Sequence, residues 1–192
     1  MKKLLCLLLA VTMLMGSLFV LSACDEKDKD KDDDKSTEAP GNSSFQMPEG
    51  YVIYENDDIS FAYPEGWQKS EMGMMVMLVD MTTGNNITLV YQEKSDIYTT
   101  MDVAGFNQLL KPSYESAGMA VSDVKVSQVK NSGNFSVTKI SYKATQGGNN
   151  FNQLMVVIQS GEYDYIVTVT EGITTPADGL LDTVFNSLKA KK

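Results

Sequence analysis

The chain has 192 residues, a net charge of −9 and no histidine, and all 16 of its basic residues are lysines. A net-negative chain without arginine lacks the usual equipment for binding phosphate groups, which argues against nucleic acid as a partner and against electrostatic docking to anionic lipid. The absence of histidine removes the commonest general base and metal ligand.

The first 24 residues have the layout of a secretory signal. Lys2 and Lys3 precede an apolar run from Leu4 to Leu21, and a strongly charged stretch begins at Asp25. A positive start followed by an apolar segment is typical of export signals. An uncleaved membrane anchor is the alternative, because this run is just long enough to span a bilayer. The two lysines place the rest of the chain outside in both cases.

The segment Leu21-Ser22-Ala23-Cys24 resembles the bacterial lipobox, in which an invariant cysteine follows a leucine and two small residues. The resemblance implies transfer of diacylglycerol to the Cys24 sulfur and cleavage before Cys24. Each buried CH₂ group contributes about 0.8 kcal/mol, so two or three acyl chains form a lasting anchor. We therefore predict a signal peptide at residues 1–23 and a lipid anchor at Cys24 that holds the chain on the extracytoplasmic face of the membrane.

Residues 24–50 are predicted to form a disordered acidic tether. After Cys24, alternating Asp and Lys give way to Ser, Thr, Pro and Gly, and neither composition can bury apolar surface. A calcium site at Asp28, Asp30, Asp32 and Asp34 is the alternative. Lysines interleave these carboxylates, and no glycine turn or downstream glutamate completes a calcium loop. The tether is therefore interpreted as a spacer.

Residues 51–192 are predicted to form one α+β domain with a mainly antiparallel sheet, because hairpin-connected strands are segregated from helices. The predicted order is four strands, a helix, a four-stranded meander and a closing helix. Alternation and turn residues place the strands at Tyr51–Glu55, Ile59–Tyr63, Met74–Val79, Asn86–Gln92, Val124–Val129, Phe135–Lys143, Phe151–Gln159 and Tyr163–Glu171. A turn at Asn131-Ser132-Gly133 joins the first two meander strands.

Apolar spacing predicts two helical regions. The first covers Met101–Ala117, with Thr99 or Thr100 as its cap and with Pro112 kinking or dividing it. The second begins at Thr175-Pro176-Ala177-Asp178, read as a cap, a proline at the first helical position and a capping acid. Its apolar stripe consists of Leu180, Leu181, Val184, Phe185 and Leu188.

The segment from Ile59 to Trp67, ISFAYPEGW, resembles the entry motif of the PsbP-like superfamily, which includes a photosystem II extrinsic protein and small bacterial lipoproteins. The predicted element order fits this family over residues 51–190. The resemblance implies an α/β/α sandwich around an antiparallel sheet. It carries no catalytic residues, and a fold by itself does not define function.

The sequence contains no motif for catalysis, for a cofactor or for a metal site. Cys24 is the only cysteine beyond the signal, and it is the lipidated one, so thiol and zinc-thiolate chemistry are excluded. Asp57-Asp58 is interpreted as turn chemistry rather than a metal pair. We therefore predict that the protein is not an enzyme and holds no cofactor.

A group of methionines, Met72, Met74, Met75 and Met77, with Met81 nearby, is the most unusual feature of the domain. Core packing, an adaptable partner surface and a thioether copper site are the three interpretations. If one strand carried all four, Met72 and Met74 would share one face and Met75 and Met77 the other, which argues against copper.

The candidate binding surface consists of Met72 and Met75 with three aromatic residues. Trp67 is expected to plug the core at the sheet edge. Alternatively, it forms a binding wall with Tyr51 and Tyr54, since aromatic residues are enriched at interfaces.

These features together predict a non-enzymatic accessory module that binds a protein partner in the cell envelope. A small-ligand or glycan-binding lipoprotein is the second hypothesis, although one domain lacks a second lobe to close on a solute. A cell-envelope hydrolase is the third. The sequence leaves the oligomeric state open.

Overall fold

A computed structural model describes residues 45–130, 135–174, 176–177 and 179–191. The predicted signal peptide, Cys24, the tether as far as residue 44, the turn at Asn131-Ser132-Gly133, and the cap residues Thr175 and Asp178 lie outside the described residues. Predictions about these segments stay predictions.

Ten strands form two antiparallel sheets. The small sheet has the order β1-β2-β10 and consists of β1 (Tyr51–Glu55), β2 (Ile59–Pro64) and β10 (Lys189–Ala190). The large sheet has the order β3-β4-β5-β9-β8-β7-β6. Its strands are β3 (Gln68–Met72), β4 (Met75–Val79), β5 (Asn86–Glu93), β6 (Met119–Lys130), β7 (Ser136–Gln146), β8 (Asn149–Ser160) and β9 (Tyr163–Gly172).

Three short helices complete the described fold: α1 (Val103–Leu109), α2 (Lys111–Ser116) and α3 (Leu180–Ser187). The Oδ1 atom of Asp102 caps α1 by accepting a hydrogen bond of 2.7 Å from the backbone N–H of Gly105. Pro112 lies in the first turn of α2, where its missing N–H would have no partner within the helix. Among the described residues, no helix is both long and apolar enough to cross a membrane.

The large sheet is the central layer of the domain. On one face, the small sheet and α3 bury a core in which Phe61 and Val184 are fully inaccessible beside Val156 of β8. On the other face, Phe106 of α1 packs 5.4 Å from the ring of Tyr142 on β7. Because both faces are covered here, β8 is buried on both sides at its centre, which explains its uninterrupted apolar run from Leu154 to Ile158.

The main hydrophobic core of the described residues comes from one continuous stretch of the chain. The described residues belong to a compact unit that runs from Ala39 to Lys192. Every residue of the main hydrophobic core lies between Tyr54 and Leu188. Residues 39–192 therefore include every described residue of this core and leave out the predicted signal peptide and Cys24.

The predicted fold class, an α+β domain with a mainly antiparallel sheet, is confirmed, and so is the division of the first helical region at Pro112. The predicted cap at Thr99 or Thr100 is wrong, because Asp102 precedes the first helical turn. The prediction of Pro176 at the first helical position is also wrong: α3 begins at Leu180, after Gly179 with a φ of 70°. The predicted stripe is confirmed for Leu180, Leu181, Val184 and Phe185, which lie in or against the core, but Leu188 is extended because α3 ends at Ser187.

Candidate binding surfaces

The methionine hairpin consists of β3, β4 and the two-residue loop Gly73-Met74 between them. Met72 is the cross-strand partner of Met75, so their side chains lie on the same face of the sheet, and Met77 joins them two residues further along β4. The expectation that Met72 and Met74 share a face is wrong, because the chain turns at Gly73, whose φ is 59°. Met72, Met75 and Met77 therefore lie on one face, and the alternation between faces that argued against a copper site does not occur.

The hairpin exposes an unusual amount of apolar surface. Met72 and Met74 are 48% and 51% exposed, and Met81 in the next turn is 53% exposed. Every residue of β3 is exposed, and among the described strands β3 is the outermost on this side of the large sheet. Exposed apolar surface beside an edge strand is typical of a protein–protein contact.

The aromatic candidates lie closer to the core than the methionines do. Tyr54 is only 6% exposed, and its ring lies 5.1 Å from that of Phe61. Tyr51 and Trp67 are half-buried and pack against the same core. Burial raises the pKa of the Tyr51 hydroxyl, although a hydrogen bond to Thr183 opposes the shift. These aromatic residues share the core with the hairpin through Val76 and Leu78 of β4, whereas the exposed Met72 and Met74 lie outside that core.

A polar groove lies at the opposite end of the large sheet, beside α3. Its volume is about 500 Å³. The side chains that line it are Asp123, Val124, Lys125, Ser141, Lys143, Asn152 and Leu181. The side chains of Tyr142 and Gln153 lie on the other face, where they bond to Tyr114 and Thr170, so these two residues border the groove through their backbone. Sequence patterning gave no indication of this groove.

A buried carboxylate fastens the segment between β5 and α1 to the sheet. Asp164 is fully inaccessible; its Oδ2 accepts from the backbone N–H of Ser95 at 2.8 Å, and its Oδ1 accepts from Nε2 of Gln159 at 2.9 Å. Burial raises the pKa of Asp164, and these hydrogen bonds counteract the shift. Because both oxygens have protein partners, the arrangement is structural.

The described residues contain no group of three or more His, Cys, Asp or Glu side chains that could hold a metal ion. Asp57 and Asp58 lie in the turn between β1 and β2, where Oδ1 of Asn56 accepts from the backbone N–H groups of Asp58 and Ile59. Asn56 thus organises the turn as an Asx motif, in line with the interpretation of this dipeptide as turn chemistry.

The architecture defines the class: an antiparallel α+β sandwich of the PsbP-like fold. Among solved structures, the chain is similar to the solution structure of cyanobacterial PsbP (CyanoP) from Synechocystis sp. PCC 6803, with a TM-score of 0.58 and 14% identity over 80% of this chain and 98% of that chain. A crystal structure from Bacteroides thetaiotaomicron VPI-5482 matches with a TM-score of 0.44 and 15% identity, over 70% of this chain and 45% of that chain. No protein-family model matches the chain, and no curated protein matches its sequence. The fold implied by the ISFAYPEGW segment is confirmed.

Proposed function

We propose that this protein is a lipid-anchored, extracytoplasmic accessory module that binds a protein partner of the cell envelope through the methionine hairpin and catalyses no reaction. The single observation that supports the binding role most directly is the exposure of Met72 and Met74 at the end of the exposed edge strand β3. Methionine side chains are flexible and polarisable, so they adapt to the surface of a partner. An edge strand adds backbone hydrogen-bonding groups that an extended segment of the partner can pair with.

The lipobox supports the anchor, and the spacer of residues 24–50 supports display away from the membrane. A chain without histidine, and with its only remaining cysteine in the lipobox, supports a non-catalytic role. The likeness in fold to CyanoP is compatible with a binding module. At 14% identity, that likeness carries no partner over to this chain.

Photo-crosslinking in intact cells tests the partner surface. A photoreactive amino acid at Met72 should give a discrete crosslinked product with one envelope protein. Met47 is the matched control, because it is also methionine and also 48% exposed but precedes the first strand. Products that are absent at both positions, or identical at both, would contradict the proposed surface.

The anchor is tested separately in the same cells. Labelled palmitate should enter the wild-type chain and not the Cys24→Ser variant, and the variant should leave the membrane fraction. Equal labelling of the two chains would rule out lipidation at Cys24. Trp67→Ala is unsuitable as a surface probe, because Trp67 packs against the core and its truncation would lower stability.

A further inference from the structure

Besides Asp123, four polar side chains on three adjacent strands line the groove beside α3. Lys125 of β6 is the cross-strand partner of Ser141 on β7, and Lys143 of β7 is the partner of Asn152 on β8. Ser141 and Lys143 are two residues apart on one strand, so all four side chains lie on the same face in two neighbouring rows. Directly opposed residues have Cβ atoms about 4.5–5.5 Å apart, which places the four polar ends within reach of one small ligand.

A β-bulge in β6 turns Lys125 toward this groove. Ser122 pairs with Lys143 but Lys125 pairs with Ser141, so β6 carries one extra residue at this point. If regular pairing continued from Ser122 without a bulge, Lys125 would stand opposite Ile140, which is fully buried under the helical layer. Bulges re-aim side chains in this way and are over-represented beside functional sites.

Asp123 holds the bulge in an uncommon backbone conformation. Its φ of 54° makes it the one non-glycine residue with positive φ in the described part of the chain. Aspartate is among the few residue types that tolerate this conformation. Its carboxylate accepts from Nζ of Lys143 at 2.8 Å, and the Lys143 ammonium lowers the pKa of Asp123. The bulge residue therefore also positions one of the two lysines of the groove.

The groove contains hydrogen-bonding groups without protein partners. Among the described residues, no side-chain hydrogen bond or ion pair engages the Lys125 ammonium, the Ser141 hydroxyl or the Asn152 amide. Ser141 and Asn152 are nevertheless half-buried. A half-buried polar side chain elsewhere in the sheet is paired: the hydroxyl of Thr170 on β9 accepts from Nε2 of Gln153 at 2.9 Å. Unused donors that converge on one cavity are the signature of a ligand site.

The lysines of the groove indicate that its ligand carries a negative charge. Residues 51–192 carry sixteen acidic residues and ten lysines, yet this face of β6 and β7 presents Lys125, Lys139 and Lys143 together. Lys139 lies two residues before Ser141, and its Nζ is 3.8 Å from the centroid of the Phe185 ring. The Asp123 carboxylate takes up one hydrogen bond of Lys143. The donors that remain are the Lys125 ammonium, the other N–H bonds of Lys143, the Ser141 hydroxyl and the Asn152 amide N–H, and such a set matches the oxygens of an oxyanion.

We propose that this groove binds a small molecule through an oxyanion group, a phosphate or a carboxylate, held by Lys125, Lys143, Ser141 and Asn152. Its volume of about 500 Å³ falls in the range of small-molecule sites, about 300–1,000 Å³. Leu181 supplies an apolar wall for the rest of the ligand. The groove faces the α3 layer and the methionines of the hairpin face the opposite side of the sheet, so this inference does not depend on the proposed partner surface.

Nuclear magnetic resonance of ¹⁵N-labelled residues 39–192 tests the site. Sodium phosphate and sodium acetate are titrated separately, with sodium chloride holding the ionic strength constant. Saturable shifts are expected at the amides of Ser141, Lys143 and Asn152. Lys125→Gln should weaken the affinity about fivefold to tenfold, because it removes a charge-assisted hydrogen bond. Lys69→Gln is the matched control, since it removes the same charge from an exposed lysine on β3 and should leave the affinity unchanged.

The outcomes separate specific binding from general charge effects. Shifts that rise linearly without saturation, or an equal loss of affinity in the two lysine variants, would overturn the proposal. Both variants are first checked for cooperative thermal unfolding; Ser141→Ala, which keeps every charge, provides a second test and should also weaken binding.

Sedimentation with phosphatidylglycerol vesicles distinguishes the source of the anion. Binding to free anions without sedimentation assigns the site to a soluble ligand. Sedimentation that Lys125→Gln abolishes assigns the same groove to a lipid headgroup. The absence of both kinds of binding overturns the proposal.

Discussion

At the scale of single residues, Asp164 is the one carboxylate in the described structure that is fully inaccessible to solvent. Both of its carboxylate oxygens accept hydrogen bonds, and Gln159 links it further to the backbone carbonyl of Ser95 at 2.9 Å. Desolvation nevertheless raises its pKa above the ordinary value of 3.8. The hydrogen bonds that Asp164 accepts stabilise the fold, whereas the burial of its negative charge is unfavourable.

Replacing Asp164 with Asn tests this balance. Asn has one acceptor for two donors, so we expect a loss of about 1–3 kcal/mol in the free energy of unfolding. The pKa of Asp164 is higher in the folded state than in the unfolded state, so protonation of Asp164 stabilises the folded state. This contribution is complete below the pKa of the unfolded state, and it is lost as the pH rises through the pKa of the folded state. Asn does not titrate, so the difference between the two proteins should be larger near pH 3 than near pH 7. Urea unfolding at several pH values measures it, and a constant difference would contradict the raised pKa.

At the scale of elements, the short helix α1 is held by one side chain. Phe106 is fully buried, with ring centroids 5.4 Å and 6.0 Å from those of Tyr142 and Tyr114. The hydroxyls of these two tyrosines lie 3.1 Å apart, so the cluster joins α1, α2 and β7. A helix of seven residues has little stability of its own, and packing must supply it.

Phe106→Ala should therefore lower the free energy of unfolding by about 3–5 kcal/mol, because it removes a fully buried ring and leaves a cavity. Val103→Ala on the same helix is the control: Val103 is 41% exposed, and its truncation should change stability by less than about 0.5 kcal/mol. Urea denaturation of both variants gives the comparison. Similar losses would show that the aromatic cluster does not anchor α1.

Elements with a strong apolar pattern were predictable from sequence, and elements without one were not. Strand β8 has an apolar run from Leu154 to Ile158, β9 places Tyr165, Val167 and Val169 on one face, and α3 has a clear stripe. Strand β3 was missed because an edge strand exposed on both faces needs no alternation. The first part of β6 was missed because the apolar pattern changes phase: Met119 and Val121 are followed by Val124 and Val126.

The groove could not be predicted for a related reason. Its polar side chains come from three strands, and they meet only because the bulge sets the register of β6 against β7. Ser141 and Asn152 are polar residues in strands where apolar and polar residues alternate, and this pattern predicts that they face solvent. The change of phase between Val121 and Val124 was the one signal, and it indicates a bulge without indicating what the bulge brings together.

At the scale of the whole molecule, the last residues of the described chain close the small sheet. Lys189 and Ala190 pair with Ser60 and Ile59, and the backbone N–H of Lys191 donates to the carbonyl of Asp58 at 2.9 Å. The Lys191 ammonium also contacts Glu55. Strands from opposite ends of the domain are thus neighbours, which makes the small sheet dependent on contacts far apart in sequence.

Deletion of residues 189–192 should destabilise this sheet. The loss of the backbone hydrogen bonds of β10 is expected to lower the free energy of unfolding by about 1–3 kcal/mol. Hydrogen exchange should accelerate at the amides of β2 and not at those of β8. Lys191→Ala removes only the side chain and serves as control, with a loss below about 1 kcal/mol for an exposed ion pair. Unchanged exchange at β2 would show that β10 is dispensable.

The bulge in β6 also bears on how this chain is compared with others of its fold. One extra residue at 123–124 divides the strand into two halves of opposite parity, so that Val121, opposite Ala144, and Val126, opposite Ile140, face the same side of the sheet. A homologous strand that lacks the bulge would be one residue shorter. Aligning the two without a gap would match buried positions of one chain with exposed positions of the other along half the strand. A one-residue gap, normally reserved for loops, belongs inside this strand.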